Sequence, residues 1–311
     1  MAEVWTMGEI LVEIMRPEAG IGLDVPGVFK GPYPSGAPAI FIDTVARLGH
    51  TAGIIGGVGA DDFGTCVTNR LEKDGVDTSQ VLRDDTGSTA VAFVTYFEDG
   101  SRRFIYHIDG TPAAKACFSK DISIDQSTKF FHMMGCSLMV NETFQKEIIA
   151  AAEYMASRGV KLSIDPNIRP ELLKTRTIRD VLGPVLNNCS VLMPGLSELQ
   201  LLSGTDDVRK GIDALFEQET LELIVLKKGS EGAIIYSREE EITVPVYKVE
   251  EVDATGAGDC FDAGFLCGIL EGLPLKECGE LAAAAGALNA AAFGPMEGAI
   301  SRDEVYRLIR S

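Results

Sequence analysis

The stretch KFFHMM (129–134), ETFQKEIIAAAEYMASR (142–158), VKLSID (160–165) reads as strand, helix, strand, and it decides the fold. The outer runs are short and apolar, whereas the middle one has helical spacing and good helix formers. CSVLMP (189–194) and LELIVLK (221–227) continue the strands, and about 171–188 supplies another helical stretch. Parallel neighbours need a crossover helix, so this alternation implies an α/β fold with a mostly parallel sheet and helices on both faces.

Upstream, MAEVWTMGEILVEIM (1–15) reads as a first strand. It carries acids inside its apolar stretch and no basic leader, so it is not expected to be a secretory signal. Two segments break the rhythm. TAVAFVTYFEDGSRRFIYHI (89–108) holds two strand runs joined at Glu98-Asp99-Gly100-Ser101, a hairpin signal. Residues 11–33, with Gly20, Gly22, Gly27 and Gly31, look like further short extended pieces. Together they are expected to form one small sheet projecting from the main domain, either a lid or a surface decoration. The expected organisation is a single domain, 1–311, with lid segments at about 11–34 and 89–109. Downstream, GDCFDAGFLCGILEGLPL (258–275) reads as a helix stopped by Gly272 and Pro274, and 275–294 as a second, Ala/Gly-rich helix.

Composition narrows the partners. The chain has 311 residues, 46% of them hydrophobic, and a net charge of −18. That balance argues against nucleic acid or an anionic membrane surface, both of which demand positive charge. No apolar run reaches the length of about 18 residues that spans a bilayer. Seven cysteines without a C-x-x-C pair read as reduced packing residues, which points to the cytoplasm. His50, His107 and His132 lack metal-ligand spacing; packing or surface roles suit His50 and His132, while His107 could face the lid pocket.

The chemistry concentrates in Asp253-Ala254-Thr255-Gly256-Ala257-Gly258-Asp259, set directly before an apolar helix. Its glycines permit a compact turn whose N–H groups converge, and the helix start adds the positive end of its dipole. Asp259 then stands at the mouth of an anion pocket, where a carboxylate can take the proton of an attacking hydroxyl. A glycine turn with an Asp helix cap is the plainer alternative.

DATGAGDCFDAGF (253–265) resembles the C-terminal signature of the ribokinase-like, or PfkB, carbohydrate kinases. IIGGVGADDFGTCVTNRLEKDGVDTSQV (54–81), SGAPAIFIDTVARLG (35–49), DPNIRPELL (165–173) and VLKKGSEGA (225–233) resemble further segments, especially of fructokinases and 2-keto-3-deoxygluconate kinases. The resemblance runs over nearly the whole chain in the family's order. It implies a ribokinase-like fold with a small β lid, and an enzyme that passes the γ-phosphate of ATP to a primary hydroxyl.

By that resemblance, Asp259 matches the catalytic base, and Gly256, Ala257 and Gly258 the anion hole. Asp253 and Thr255 lie where relatives often bind a monovalent cation such as K⁺, a structural role for Asp253 being the alternative. Glu198 matches a glutamate that organises Mg²⁺ through water. Lys227, Gly229 and Gly232 match the loop over the nucleotide, and Asn289 lies near the adenine. Glu13, Gly36 and Tyr106 match substrate-side positions, and Arg169 an arginine that reaches substrate or γ-phosphate. Lids in this family often pair across a homodimer.

Four positions depart from the family pattern. Ile40 replaces the substrate-loop Asn, Glu13 an Asp, Gly195 the Asn preceding Glu198, and Ile108 the lid Arg of ketodeoxygluconate kinases. These affect substrate identity more than reaction type. A ketohexose (fructose- or tagatose-like) is the first expectation, a 2-keto-3-deoxy sugar acid the second. A silent sugar or nucleotide sensor is the non-enzyme alternative, disfavoured by the retained Asp259 and its glycines. Neither G-x-G-x-x-G after the first strand nor a P-loop is present, which removes dinucleotide-dependent and P-loop readings.

Overall fold

The computed structural model describes residues 1–98 and 101–311. In chain order the elements are β1 (Val4–Met7), β2 (Leu11–Met15), β3 (Lys30–Ser35), α1 (Ala37–Arg47), β4 (Ala52–Gly59), α2 (Asp62–Lys73), β5 (Val76–Asp84), β6 (Ala90–Tyr96) and β7 (Arg102–His107). The βαβ region follows with β8 (Phe130–Met134), α3 (Gly135–Met139), α4 (Glu142–Ser157), β9 (Lys161–Asp165), α5 (Pro170–Leu173), α6 (Ile178–Leu186), β10 (Cys189–Leu192), α7 (Leu196–Ser203), α8 (Val208–Leu215) and β11 (Leu223–Lys227). The chain closes with β12 (Ala233–Tyr236), β13 (Glu241–Val244), α9 (Ala257–Leu270), α10 (Leu275–Ala290) and α11 (Arg302–Ile309).

A nine-stranded sheet runs β13-β12-β11-β10-β9-β8-β1-β4-β5. Pairing is parallel from β5 to β11 and antiparallel only at β12 and β13. Successive residues of the central strands feed opposite cores, as a two-sided sheet requires. Val4, Phe130 and Val225 join the core under α1, α9 and α10, while Trp5, Phe131 and Ile224 join the one under α4 and α6. The expected α/β architecture is therefore present.

The four strands outside the βαβ rhythm form a second sheet, β3-β2-β6-β7. β2 pairs with β3 and β6 with β7 in antiparallel fashion, whereas β2 and β6 run parallel. The Asp99-Gly100 turn inferred for the β6–β7 hairpin lies outside the described residues.

Two local expectations are corrected. The apolar start is two strands in two different sheets, not one. The break falls at Gly8, where a Cβ would collide with Pro38 and Ser137. The helical stretch near 171–188 is also divided. Lys174 takes a positive φ of 54°, and a capping box of Thr177 with Asp180 starts α6 afresh.

Candidate functional site

The turn before α9 is shaped by Gly256, whose φ of 80° favours glycine and whose missing Cβ would lie 2.5 Å from the Pro295 carbonyl. Ala257 N–H closes the turn on the Ala254 carbonyl at 3.2 Å. The first intrahelical bond runs from Cys260 N–H to the Gly256 carbonyl, so the N–H groups of Gly258 and Asp259 emerge from the helix start. A Cβ on Gly258 would meet only the Lys227 ammonium, 3.9 Å away, so space for an anion is open there.

The Asp259 side chain, in the first turn of α9, is buried and accepts a hydrogen bond from Asn167 Nδ2 at 3.1 Å. Burial, with the nearby Asp165 carboxylate, pushes its pKa up to about 7 against the pull of Lys227 and Arg169.

The turn is braced from the small sheet. Asp253 accepts from Thr255 N–H (2.9 Å), the Tyr96 hydroxyl (3.0 Å) and Gly294 N–H (3.0 Å). Thr255 Oγ1 accepts from Arg102 at 3.0 Å. Asn289, expected near an adenine, is fully enclosed and donates to the Thr255 carbonyl at 2.7 Å. Its placement on the inner face of α10 makes it a brace of the turn.

Beside Asp259 opens a cavity of about 160 Å³, small against the roughly 300–1,000 Å³ of drug-sized ligand sites. Strand alternation turns Arg102, Phe104, Tyr106 and the residue after β7, Ile108, toward it. His107 therefore points away, exposed and edge-on to Phe93, which corrects its expected place in the pocket. His132 packs as expected, stacked on Phe41, and His50 lies between Glu3 and Glu271.

Glu13 accepts from Ser35 Oγ at 2.6 Å, while its other oxygen is buried with no partner among the described residues. Burial first, and Asp253 after it, raise its pKa to about 7. Gly36 also lines the cavity; its φ is 106° and a Cβ would lie 2.4 Å from the Glu9 carbonyl oxygen. Arg169 reaches the cavity from the loop after β9, where Tyr106 also lines it, and its guanidinium donates to the Ile168 carbonyl at 3.2 Å.

Glu198 caps α7: its two oxygens accept from Gly195 N–H and Ile168 N–H, each at 2.7 Å. Gly229 and Gly232 follow β11 with φ of 57° and 88°. Lys227 is the last residue of β11. Its ammonium lies 2.8 Å from Asp165 and 3.0 Å from both oxygens of Asp262. The enclosed carboxylates draw it inward, because an unpaired buried charge is costly.

Sequence reasoning missed Glu9, Asp165, Asn167 and Asp262. Glu9 lines the cavity and accepts from Ser137 Oγ and Cys136 Sγ. Two signals were readable: Asp-Pro-Asn as an Asx-type turn, and Asp262 inside an apolar helix one turn beyond Asp259.

A helix start open to an anion, facing a carboxylate poised near neutrality, is a site able to hold phosphate and take a proton. Residues 28–302 match the pfkB family of carbohydrate kinases. The chain belongs to that family and is a carbohydrate kinase. It is 31% identical to Fructokinase-1 of Oryza sativa subsp. japonica, over 99% of this chain and 98% of that one. Fructokinase of Salmonella typhimurium is also 31% identical, over 95% of each chain. An E. coli protein provisionally assigned as ribokinase II superposes with a TM-score of 0.93 at 39% identity, covering 100% of this chain and 99% of its own. The same fold is seen in a complex of such an E. coli protein with ATP and Mg²⁺ (TM-score 0.92).

Proposed function

We propose that the protein transfers the γ-phosphate of ATP to a primary hydroxyl of a ketohexose, fructose- or tagatose-like, with Asp259 as the base. The observation that carries this is the position of the Asp259 carboxylate, on the cavity side of the α9 start, held by Asn167 with its pKa raised to about 7. A substrate hydroxyl donates its hydrogen bond to Asp259 and loses its proton there as its oxygen attacks the γ-phosphorus, while the bond from that phosphorus to the β–γ bridging oxygen breaks and ADP leaves. The N–H groups at the helix start, with Gly258 leaving room, face the charge spread over the phosphoryl oxygens. Arg169 adds a fixed positive charge beside the cavity.

Sugar hydroxyls find acceptors in Glu13, whose second oxygen is unpartnered, and Glu9. The apolar Ile108 and the fructokinase relatives favour a neutral ketose. One observation favours the second reading, a 2-keto-3-deoxy sugar acid: both Arg102 and Arg169 line the cavity. The non-enzyme reading, a silent sensor, leaves the raised carboxylate beside an open anion site without a purpose.

Glu198 would organise Mg²⁺ through water: each of its oxygens accepts one backbone N–H bond and keeps a second lone pair for such a water. The ion would neutralise phosphate charge. At the 253–255 turn the Asp253 carboxylate is where K⁺ would be held; each of its oxygens already accepts internally, so a cation adds to a turn closed without it. The small sheet acts as the lid in this reading, inserted as segments about 11–34 and 89–109 of one domain. Its exposed Val28, Phe29 and Ile105 suit pairing across a homodimer. Among the described residues no helix is long and apolar enough to cross a membrane, and all cysteines are free, which supports a cytoplasmic location. Sugar-dependent ADP release across fructose, tagatose and 2-keto-3-deoxygluconate tests the proposal; no turnover with any sugar overturns it.

A further inference from the structure

We propose that Asp262, Lys227, Asp165 and Asn167 form one positioning unit for the Asp259 carboxylate, and that Lys227 acts on the reaction through this unit. Three separate elements converge to build it: the ends of β9 and β11 and the second turn of α9. The Lys227 ammonium meets one oxygen of Asp165 and both oxygens of Asp262. Among the described residues, every hydrogen-bond partner of the ammonium is thus a carboxylate of the unit, which turns it toward the buried acids.

The unit continues without a gap to the reacting group. Asp165 accepts from the backbone N–H of Asn167 at 2.9 Å and from its side-chain amide at 3.3 Å. The same amide nitrogen lies 3.1 Å from Asp259 Oδ1. Asn167 adopts a φ of 37°, a conformation that side chains other than glycine rarely take. Such strain persists where the surroundings over-determine it, and here the Asx-type turn on Asp165 does so.

Stability alone does not account for the arrangement. A buried ammonium with two carboxylates contributes little over well-packed apolar residues, and removing one member strands a charge. Its position accounts for it better. Asp259 is faced by Asp165 and Lys227, by Arg169 from the loop after β9, by Glu9 from the loop after β1, and by Cys136 from α3. Of these, Asp165 is the group that Asn167 ties to the base by hydrogen bonds, and Lys227 is the group that holds Asp165.

The inference rests on Asp259 being the base, and the experiment separates the two. Lys227→Met, Asn167→Gly and Asp259→Asn are compared with the parent by thermal melt, by kcat and ATP KM, and by the pH profile of kcat/KM. Asn167→Gly relieves the backbone strain while cutting the last link, so it tests the unit if Lys227→Met does not fold. Misplacing a reacting group by about 1 Å can cost roughly 100-fold, and kcat losses of that order are expected in both variants. The acid limb of the profile should shift, to higher pH in Lys227→Met, while ATP KM changes less than about threefold. A folded Lys227→Met with ATP KM raised more than about tenfold and an unmoved limb makes Lys227 a nucleotide ligand and overturns the inference. So does full activity with an unmoved limb in Asn167→Gly. If Asp259→Asn itself retains turnover, the base assignment fails first.

Discussion

The Tyr96 hydroxyl, from the last residue of β6, lies 3.0 Å from Asp253 Oδ1 and joins the small sheet to the turn that opens α9. The same hydroxyl is 3.2 Å from Thr255 Oγ1, so one side chain spans both polar residues of that turn. Tyr96→Phe removes this tie while keeping the ring. A hydrogen bond of this kind contributes about 0.5–1.5 kcal/mol, so sugar KM is expected to rise by roughly 2–10-fold with a smaller change in kcat. Hydrogen exchange of β6 and β7 should quicken in the same variant. Unchanged exchange there would show that the tie does not hold the sheet down.

Asp259→Asn preserves shape and the contact with Asn167 but cannot accept a proton. A kcat loss of roughly 10²–10⁴-fold is expected, with ATP binding little changed. The stability effect has a definite sign. In the folded state Asp259 ionises near 7, against about 4 when unfolded, so its contribution is present below pH 4 and lost as pH rises through 7. The Asn variant escapes that loss. Its Tm should exceed the parent's at pH 8 and match it near pH 4; the reverse order would contradict the raised ionisation.

The kcat/KM profile should fall on the acid side with an apparent pKa near 7, since the base works only when ionised. Glu13 titrates in the same range, so the two must be told apart. Glu13→Gln is expected to keep the acid limb while raising the sugar KM. A limb that vanishes in Glu13→Gln would reassign it.

Gly256 and Gly258 should respond differently to alanine. At Gly258 a Cβ meets nothing closer than 3.9 Å, so the variant should fold normally and lose turnover through crowding of the anion space. At Gly256 the φ of 80° and the Pro295 carbonyl at 2.5 Å predict a stability loss of about 1–3 kcal/mol as well. Melting curves and kcat measured together check both; a destabilised Gly258→Ala would refute the open space.

Substrate class is tested by Arg169→Ala and Ile108→Arg on fructose, tagatose and 2-keto-3-deoxygluconate. For a neutral ketose, losing Arg169 should lower kcat more than it raises sugar KM. For a sugar acid, it should cost the roughly 10–150-fold in affinity that a charge-assisted bond of about 1.5–3 kcal/mol represents. Ile108→Arg, directed into the cavity, should improve the acid relative to the ketose. A parent enzyme that prefers the acid, and loses that preference in Arg169→Ala, would displace the ketohexose.

Periodicity and local turn chemistry were legible from the sequence. The strands β8 to β11, the helix α4 and the glycine turn before α9 each follow from preferences of neighbouring residues. So did Asp259, because a carboxylate just inside a glycine-led helix start is a local feature. The break at Gly8 was less visible, since only the approach of Pro38 and Ser137 shows why one apolar run serves two sheets.

What tertiary structure decided is the partner of each charge. Lys227 reads from its neighbours as part of a glycine loop, yet Asp165 lies 62 positions away and meets it because β9 and β11 flank β10 and end at the same edge. Asn289 reads as a polar residue on a helix, and only the packing of α10 on α9 encloses it beneath Thr255. Local sequence encodes backbone preference and hydrophobic period. Which buried carboxylate meets which ammonium depends on strand order, and the desolvation cost of an unpaired charge then enforces the pairing.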